Sequence, residues 1–216
     1  MDLSYMSSGE TDSDDNDDQK VIRWKLPRDK LSEQNPYKKI TRRIDAPKIR
    51  NHQKKDVDVS ISSVNEVLMN KENLRAGVII YTKYCDKTYF CLGVDTESGN
   101  LTDFGGGVKK DENIIQGGLR ELAEESLGVF ENPNIDDAIV FHSNRVAIMF
   151  VQMNVDPQKI TNDFKQRIEE HQQPEVCDIV WLTTDELLES IHGRGKTLYI
   201  VVRKILSKVT STIRDL

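Results

Sequence analysis

Four charged residues on one predicted helix are the chain's best candidates for chemistry. Residues 106–129 begin with glycines and continue into a helix that carries Arg120, Glu121, Glu124 and Glu125. Because helical positions four apart share a face and positions three apart adjoin it, the three glutamates lie side by side. Hard divalent ions such as Mg²⁺ or Mn²⁺ take carboxylate oxygens and often bridge to substrate phosphates. The cluster predicts a magnesium or manganese site, and a solvated acidic helix face is the alternative.

The spacing around this cluster favours the metal site. Five residues separate Gly106 from Glu112, and seven more precede the segment R-E-L-A-E-E at 120–125. This order closely resembles the signature of the Nudix hydrolases, G-x5-E-x7-R-E-U-x-E-E-x-G-U, where U is a bulky aliphatic residue. Every fixed position from the first glycine to the last glutamate matches. The match is far more specific than a lone glycine pattern.

Two features depart from the family pattern. One residue usually separates the last glutamate from the glycine, whereas Ser126 and Leu127 precede Gly128 here. Since a glycine with positive φ often ends a helix, this insertion predicts a slightly longer helix. The aliphatic-proline pair usual before the glycines is replaced by Asp103 and Phe104, so proline's fixed φ is missing there. The metal-facing glutamates lie between these two departures.

The resemblance implies a fold and a reaction. The fold class is α/β, a Nudix-type α/β/α sandwich in which a mixed β-sheet lies between helices. The substrate is a nucleoside diphosphate linked to another moiety, and water attacks a phosphorus. A metal ion neutralises phosphate oxygens and lowers the pKa of bound water. Carried over to this chain, Glu121, Glu124 and Glu125 would be the metal ligands.

The resemblance also implies supporting roles around the glutamates. Arg120 would pair with Glu112 and orient the glutamates rather than touch substrate. Gly105, Gly106 and Gly107 would form the loop before the helix. A backbone carbonyl near Gly106 would complete the metal shell.

A general base outside the motif is also predicted. Glu175 stands six residues before Trp181, and it resembles the corresponding glutamate of cellular mRNA-decapping Nudix enzymes. The alternative for Glu175 is an ordinary acid at the start of a strand. Glu169 and Glu170, late in the preceding predicted helix, are the competing candidates.

Composition predicts one enzyme domain with a tail. The 216 residues carry a net charge of −6, and no run of 18 apolar residues appears, so no transmembrane helix is expected. The first twenty residues lack the apolar core of a secretory signal. Three unevenly spaced cysteines are typical of free thiols in a reducing compartment. We expect a cytoplasmic protein without membrane contact, in a host cytoplasm or virion if the chain is viral.

The first 56 residues differ from the remainder, 57–216, which is the predicted hydrolase domain. Residues 1–18 hold seven acids and little to bury, so disorder is expected. The segment 38–55 is basic, and it is either a solvated linker, a partner of the acidic segment, or an RNA phosphate contact. Its basic residues are Lys38, Lys39, Arg42, Arg43, Lys48, Arg50, Lys54 and Lys55. A polar tail on a compact unit resembles proteins of large DNA viruses.

Apolar patterns predict the elements around the motif. Strands are expected at 76–82, 89–95, 137–143, 146–155 and 176–182, with a short strand and helix over 57–70. Asp156-Pro157 predicts a helix start, and Thr183 with Glu186 predicts a capping box. A single terminal helix is expected over about 197–213, with one apolar stripe.

The sequence leaves three functions open. A metal-dependent pyrophosphohydrolase is favoured because no motif glutamate is missing, and a capped RNA 5′ end is one candidate substrate. A non-catalytic Nudix-fold module that binds nucleotides or RNA is the first alternative. An RNA-binding protein whose tail is active, with the domain as a scaffold, is the second.

Overall fold

The structure, a computed structural model, describes residues 58–67 and 75–216. All of them belong to one compact unit, His52–Leu216. The predicted acidic and basic segments, 1–18 and 38–55, lie outside the described residues. No helix in the described ranges is long and apolar enough to cross a bilayer.

Eight strands and six helices make up the described part of the chain. The strands are β1 (Ser60–Ser63), β2 (Arg75–Tyr84), β3 (Lys87–Asp95), β4 (Leu101–Thr102), β5 (Phe104–Gly107), β6 (Ile139–His142), β7 (Val146–Gln152) and β8 (Val176–Thr183). The helices are α1 (Val64–Val67), α2 (Ile114–Glu125), α3 (Pro157–Ile168), α4 (Thr184–Ile191), α5 (Ile200–Leu206) and α6 (Thr210–Asp215).

The strands form one mixed sheet. Its main path runs β1-β6-β7-β2-β3-β4, and β5 and β8 pair with β2 and β3 respectively. Strands β2 and β7 run parallel, whereas the other pairs are antiparallel. The predicted α/β class with a mixed sheet is confirmed.

Apolar cores cover both faces of the sheet. Because successive side chains of a strand point to opposite faces, Val78 and Ile80 enter one core while Ile79 and Tyr81 enter the other. The first core packs under α2 and α3, and the second under α4, α5 and α6. The predicted sandwich, with helices on both sides of the sheet, is therefore present.

The predicted strands are present with their ends shifted by up to three residues, and the two predicted helix starts are confirmed. Asp156 caps α3 through bonds to the backbone N–H groups of Gln158 and Lys159, and proline occupies the first turn. Thr183 and Glu186 form the expected reciprocal cap at the start of α4. Each cap satisfies backbone donors that have no partner inside their own helix.

The prediction of a single terminal helix is wrong. Thr197 and Tyr199 pair through their backbones with Leu101, at 2.8 and 2.7 Å, so the chain is extended there. The helix begins only at Ile200, and a break around Ser207 separates α5 from α6. The apolar stripe is nevertheless mostly buried, because the residues on both sides of the break face the same core.

The expected lengthening of the motif helix is also wrong. Helix α2 ends at Glu125, and the inserted residue forms part of the stop. Leu127 has φ of 55° and donates to the Glu124 carbonyl, while Gly128 has φ of 70° and donates to the Ala123 carbonyl. These two bonds form a Schellman stop in which leucine occupies the left-handed position usually taken by glycine.

Candidate functional site

The first turn of α2 fixes the position of the motif helix. The Asn113 side chain accepts a hydrogen bond from the Gln116 N–H, and the Gln116 side chain accepts one from the Asn113 N–H, each at 2.9 Å. This reciprocal cap satisfies two donors at the start of the helix. The aliphatic side of α2 is buried against the sheet, so its polar side faces away from that core.

Arg120 holds two of the three glutamates. Its Nη1 donates to Glu121 at 2.7 Å and to Glu124 at 3.0 Å. Its Nε and Nη2 donate to Glu112 at 2.7 and 3.1 Å, and Nη2 also donates to the Gly107 carbonyl at 2.8 Å. The bonds from Arg120, together with one from the Lys109 N–H, lower the pKa of Glu112 to about 2. One guanidinium thus joins the Gly107 carbonyl of β5 to three carboxylates of the motif.

Gly106 makes room for the Glu121 carboxylate. A Cβ atom at Gly106 would lie 2.5 Å from Glu121 Oε1, closer than real contacts allow. At Gly107, by contrast, a Cβ would meet no atom within 4 Å. A side chain at Gly106 would therefore displace the Glu121 carboxylate, whereas one at Gly107 would not.

The three glycines were predicted to form a loop, and this prediction is wrong. Gly105, Gly106 and Gly107 belong to β5, which runs antiparallel to β2 with Gly105 opposite Gly77. A Cβ at Gly105 would lie 2.5 Å from the Gly77 Cα, so the two strands approach closely only because both residues lack side chains. The strand holds Gly105 and Gly106 at fixed places beside α2.

Glu125 is the most perturbed of the motif carboxyls. Burial raises its pKa to about 8, and the hydrogen bond from the Gly105 N–H, at 2.7 Å, opposes that shift. The nearby charges of Asp103 and Glu121 raise the pKa further, and that of Arg75 lowers it. A buried carboxyl among other acids is a place where a bound cation would relieve charge repulsion.

A buried ion pair lies behind Glu125. Arg75 donates to both oxygens of Asp103, at 2.8 and 2.7 Å, and to the Gly105 carbonyl at 3.0 Å. The Asp103 side chain is 0% exposed. Burial lowers the pKa of Arg75, but its bonds and attraction to Asp103 outweigh that effect and the pKa is raised overall.

Two neighbouring cavities bring the predicted site residues together. The smaller, of about 190 Å³, is lined by Glu121, Glu124, Glu125, Leu127, His171, Pro174 and Glu175. The larger, of about 380 Å³, is lined by Arg75, Asp95, Glu97, Ser98, Asn100, Thr102, Gly105, Glu125, Glu175, Val176 and Tyr199. Glu125 and Glu175 line both cavities and so mark where they meet.

Glu175 reaches this place through its backbone. Its carbonyl accepts a hydrogen bond from the Thr96 N–H at 2.9 Å, and the Pro174 carbonyl accepts one from the Thr96 hydroxyl at 2.7 Å. These bonds tie the segment before β8 to the turn after β3. The competing candidates Glu169 and Glu170 line neither cavity.

Several solved structures are similar to this chain. The Ap4A hydrolase of C. elegans, in a binary complex, is 17% identical over 66% of this chain and 98% of its own, with a TM-score of 0.44. The Nudix hydrolase RenU from M. smegmatis is 10% identical over 67% and 88%, with a TM-score of 0.46. The Bacillus subtilis pyrophosphohydrolase BsRppH is 14% identical over 73% and 89%, with a TM-score of 0.45. No family model and no curated protein matches the sequence.

The donor set of the smaller cavity suits a hard divalent ion. Its three motif glutamates offer carboxylate oxygens, the ligands preferred by Mg²⁺ and Mn²⁺. Across residues 58–67 and 75–216, no three acidic, histidine or cysteine side chains already converge on one ion-sized point. The Glu121 and Glu124 carboxylates are both held by hydrogen bonds to Arg120. A metal would need these side chains to rotate, which Glu124, 57% exposed, can do readily.

Several residues at or next to the cavities were not predicted as site residues, and four of them carry charged, imidazole or aromatic side chains that bear on the site. Arg75 and Asp103 form the buried pair, His171 lines the smaller cavity, and Tyr199 lines the larger one with 40% of its surface exposed. Asp103 carried the only signal, because it replaces a usual aliphatic residue. The eight basic residues between Lys38 and Lys55 lie outside the described residues.

Proposed function

We propose that this chain is a metal-dependent Nudix hydrolase that cleaves a pyrophosphate linkage in a nucleoside-diphosphate-linked substrate. The cavity shared by the three motif glutamates and Glu175 carries the proposal. A helix of solvated acids has no need of a buried carboxyl, yet Glu125 is held on one oxygen by the Gly105 N–H. The full signature from Gly106 to Glu125 supports the same assignment.

In this proposal the glutamates hold one or more Mg²⁺ or Mn²⁺ ions. Glu121, Glu124 and Glu125 would supply carboxylate oxygens, and the Gly106 carbonyl would be a further ligand. A bound metal would neutralise phosphate oxygens and make water a better nucleophile. Arg120 orients the glutamates through its bonds to Glu121 and Glu124. It would therefore affect metal affinity through these ligands without being a ligand itself.

Glu175 is the proposed general base. It lines the cavity with the metal-binding glutamates and also the larger cavity, where the rest of a substrate fits. A base must reach the attacking water while the phosphorus lies beside the metal, and this boundary position meets that requirement. Glu175 is exposed, so it can turn toward the water when substrate is bound.

The larger cavity would accept the nucleoside. Its volume of about 380 Å³ lies within the range of small-molecule sites, and the Tyr199 ring offers a face on which a base can stack. A capped RNA 5′ end is the finer proposal, since the basic residues of 38–55 could contact the phosphates that follow the cap.

The test is hydrolysis by the full chain with Mg²⁺ or Mn²⁺. The panel contains capped RNA, ADP-ribose, nucleoside triphosphates, dinucleoside polyphosphates and diphosphoinositol phosphates. We expect turnover of at least one of them, with ¹⁸O from labelled water found in one phosphate product. Glu124→Gln and Glu125→Gln should lower kcat by orders of magnitude with the fold intact. Glu169→Gln, outside both cavities, is the matched control.

Unchanged turnover in both motif variants would rule out the proposed site.

The RNA proposal has its own comparison, a full chain in which the eight basic residues of 38–55 are replaced by glutamine. We expect that variant to bind capped RNA more weakly, with a smaller dependence on salt, and to hydrolyse a small dinucleotide normally. Equal RNA affinity in both proteins would exclude the segment as an RNA contact.

A further inference from the structure

The buried Arg75–Asp103 pair occupies space that the fold leaves for it. A Cβ at Gly77 would overlap the Asp103 carboxylate, and a Cβ at Gly105 would lie 3.1 Å from Asp103 Oδ2. Two facing glycines in adjacent strands therefore provide the room for this carboxylate. Glycine inside a strand weakens it, and a buried ion pair returns little net stability because both charges lose water. Stability alone does not account for this arrangement.

Gly105 connects the Arg75–Asp103 pair to the motif helix. Arg75 Nη2 donates to the Gly105 carbonyl at 3.0 Å, and the Gly105 N–H donates to Glu125 Oε2 at 2.7 Å. The guanidinium is fixed at the same time by two bonds to Asp103. The bonds therefore run from Asp103 through Arg75 and Gly105 to a motif carboxylate.

We propose that Arg75, held by Asp103, is a positioning residue that fixes Glu125 through Gly105. The proposal rests on the function proposed above, because it gives Glu125 a metal to bind. The Gly105 N–H engages one carboxylate oxygen of Glu125 and leaves the other free for an ion. The charged hydrogen bond from Arg75 to the carbonyl of the same residue fixes the strand at Gly105, and with it the direction in which the Gly105 N–H points.

The residues before the glycines are consistent with a restraint of the strand by a side chain. The proline usual at this point in the Nudix pattern would restrict the backbone before the glycines, and here Asp103 and Phe104 stand instead. The bond from Arg75 to Gly105 restrains the same segment through a side chain. Three of the five Arg75 donors are used inside the protein, so most of the hydrogen bonding of this guanidinium goes to Asp103 and the glycine strand.

The test compares Arg75→Met with wild type as full-length proteins. Mn²⁺ affinity is measured by electron paramagnetic resonance without substrate. The values of kcat and KM are measured with the best substrate of the panel. We expect Mn²⁺ affinity and kcat to fall about 10- to 100-fold, with KM changing less than about threefold. Arg75→Lys, which can still donate to Gly105, should recover part of both losses. Arg145→Met is the control, because this exposed residue meets Arg75 only through a backbone bond.

A double-mutant cycle identifies the route of the effect. If Arg75 acts through Glu125, Arg75→Met should not weaken Mn²⁺ binding further in a Glu125→Gln background. A full additional loss there, a change in KM alone, or wild-type Mn²⁺ affinity in Arg75→Met would overturn the proposal. If Arg75→Met fails to fold, Asp103→Asn replaces it, because asparagine keeps the volume of the side chain. Asp103→Asn should then lower Mn²⁺ affinity and kcat, by less than Arg75→Met would. Wild-type Mn²⁺ affinity and kcat in Asp103→Asn would equally overturn the proposal. Failure of the wild type to bind Mn²⁺ or turn over any substrate would instead reject the proposed function.

Discussion

Replacing Glu125 by glutamine should make the metal-free protein more stable while it removes activity. Burial raises the pKa of this carboxyl from 4.5 to about 8, so its ionised form is held at a cost in the folded state. Glutamine has nearly the same shape and can still accept the hydrogen bond from the Gly105 N–H. The substitution removes the buried charge and keeps its principal partner.

The size and sign of the effect follow from the two pKa values. Between pH 4.5 and about 8 the folded protein binds more protons at Glu125 than the unfolded chain does, so the free energy of unfolding falls as pH rises through this window. At about 1.4 kcal/mol per pH unit, the full penalty above pH 8 is at most roughly 5 kcal/mol. Glu125→Gln should recover between about 1 and 5 kcal/mol at pH 8.5 and little at pH 4.5.

The assay is urea or thermal unfolding in excess EDTA at pH 4.5, 6.5 and 8.5. We expect the Tm difference to grow with pH and to exceed about 3 °C at pH 8.5. Glu124→Gln is the control, since its carboxylate is 57% exposed and its pair with Arg120 contributes less than about 1 kcal/mol. A stability difference that is absent, or equal at all three pH values, would refute the reasoning. Adding Mg²⁺ should stabilise the wild type more than Glu125→Gln.

Three further substitutions test the surroundings of the glutamates. Gly106→Ala places a Cβ 2.5 Å from Glu121 Oε1, so Mn²⁺ affinity should fall about 10-fold or more, whereas Gly107→Ala, with open space, should leave it unchanged. Arg120→Lys keeps the charge but loses the guanidinium fork, and kcat at saturating Mg²⁺ should fall about 10-fold. Tyr199→Ala should raise KM for a nucleotide substrate about 5-fold or more through lost stacking, and Tyr199→Phe should restore it. Equal KM in both Tyr199 variants would show that the ring does not contact substrate.

The parts of the site that were predictable depend on local spacing. The glutamates lie three and four residues apart on one helix, so their proximity follows from helical geometry alone. The α3 and α4 caps were predictable for the same reason, because each joins residues two or three positions apart. Glu175 follows Glu125 by 50 positions, so it was named as a candidate only through the resemblance, and it lines both cavities together with Glu125.

The parts that were missed depend on pairing between distant segments. Asp103 meets Arg75 because β5 returns along β2, and nothing in either segment alone announces that register. Because of the same pairing with β2, the three glycines of β5 form a strand where a loop was predicted. Tyr199 reaches the cavity because its neighbour Leu198 forms a bridge with Leu101, almost a hundred residues earlier. The apolar periodicity of the segment predicted a helix, because periodicity reports only the spacing of apolar residues and gives no sign of a bridge to a distant strand.

The most direct test of the account is anomalous diffraction from crystals of the full chain soaked in MnCl₂. The account predicts a manganese peak about 2.2 Å from carboxylate oxygens of at least two of Glu121, Glu124 and Glu125. It also predicts that the Arg120 bonds to Glu121 or Glu124 lengthen or break as those oxygens turn to the ion. A peak that lies elsewhere, or no peak at Mn²⁺ concentrations that support turnover, would contradict it.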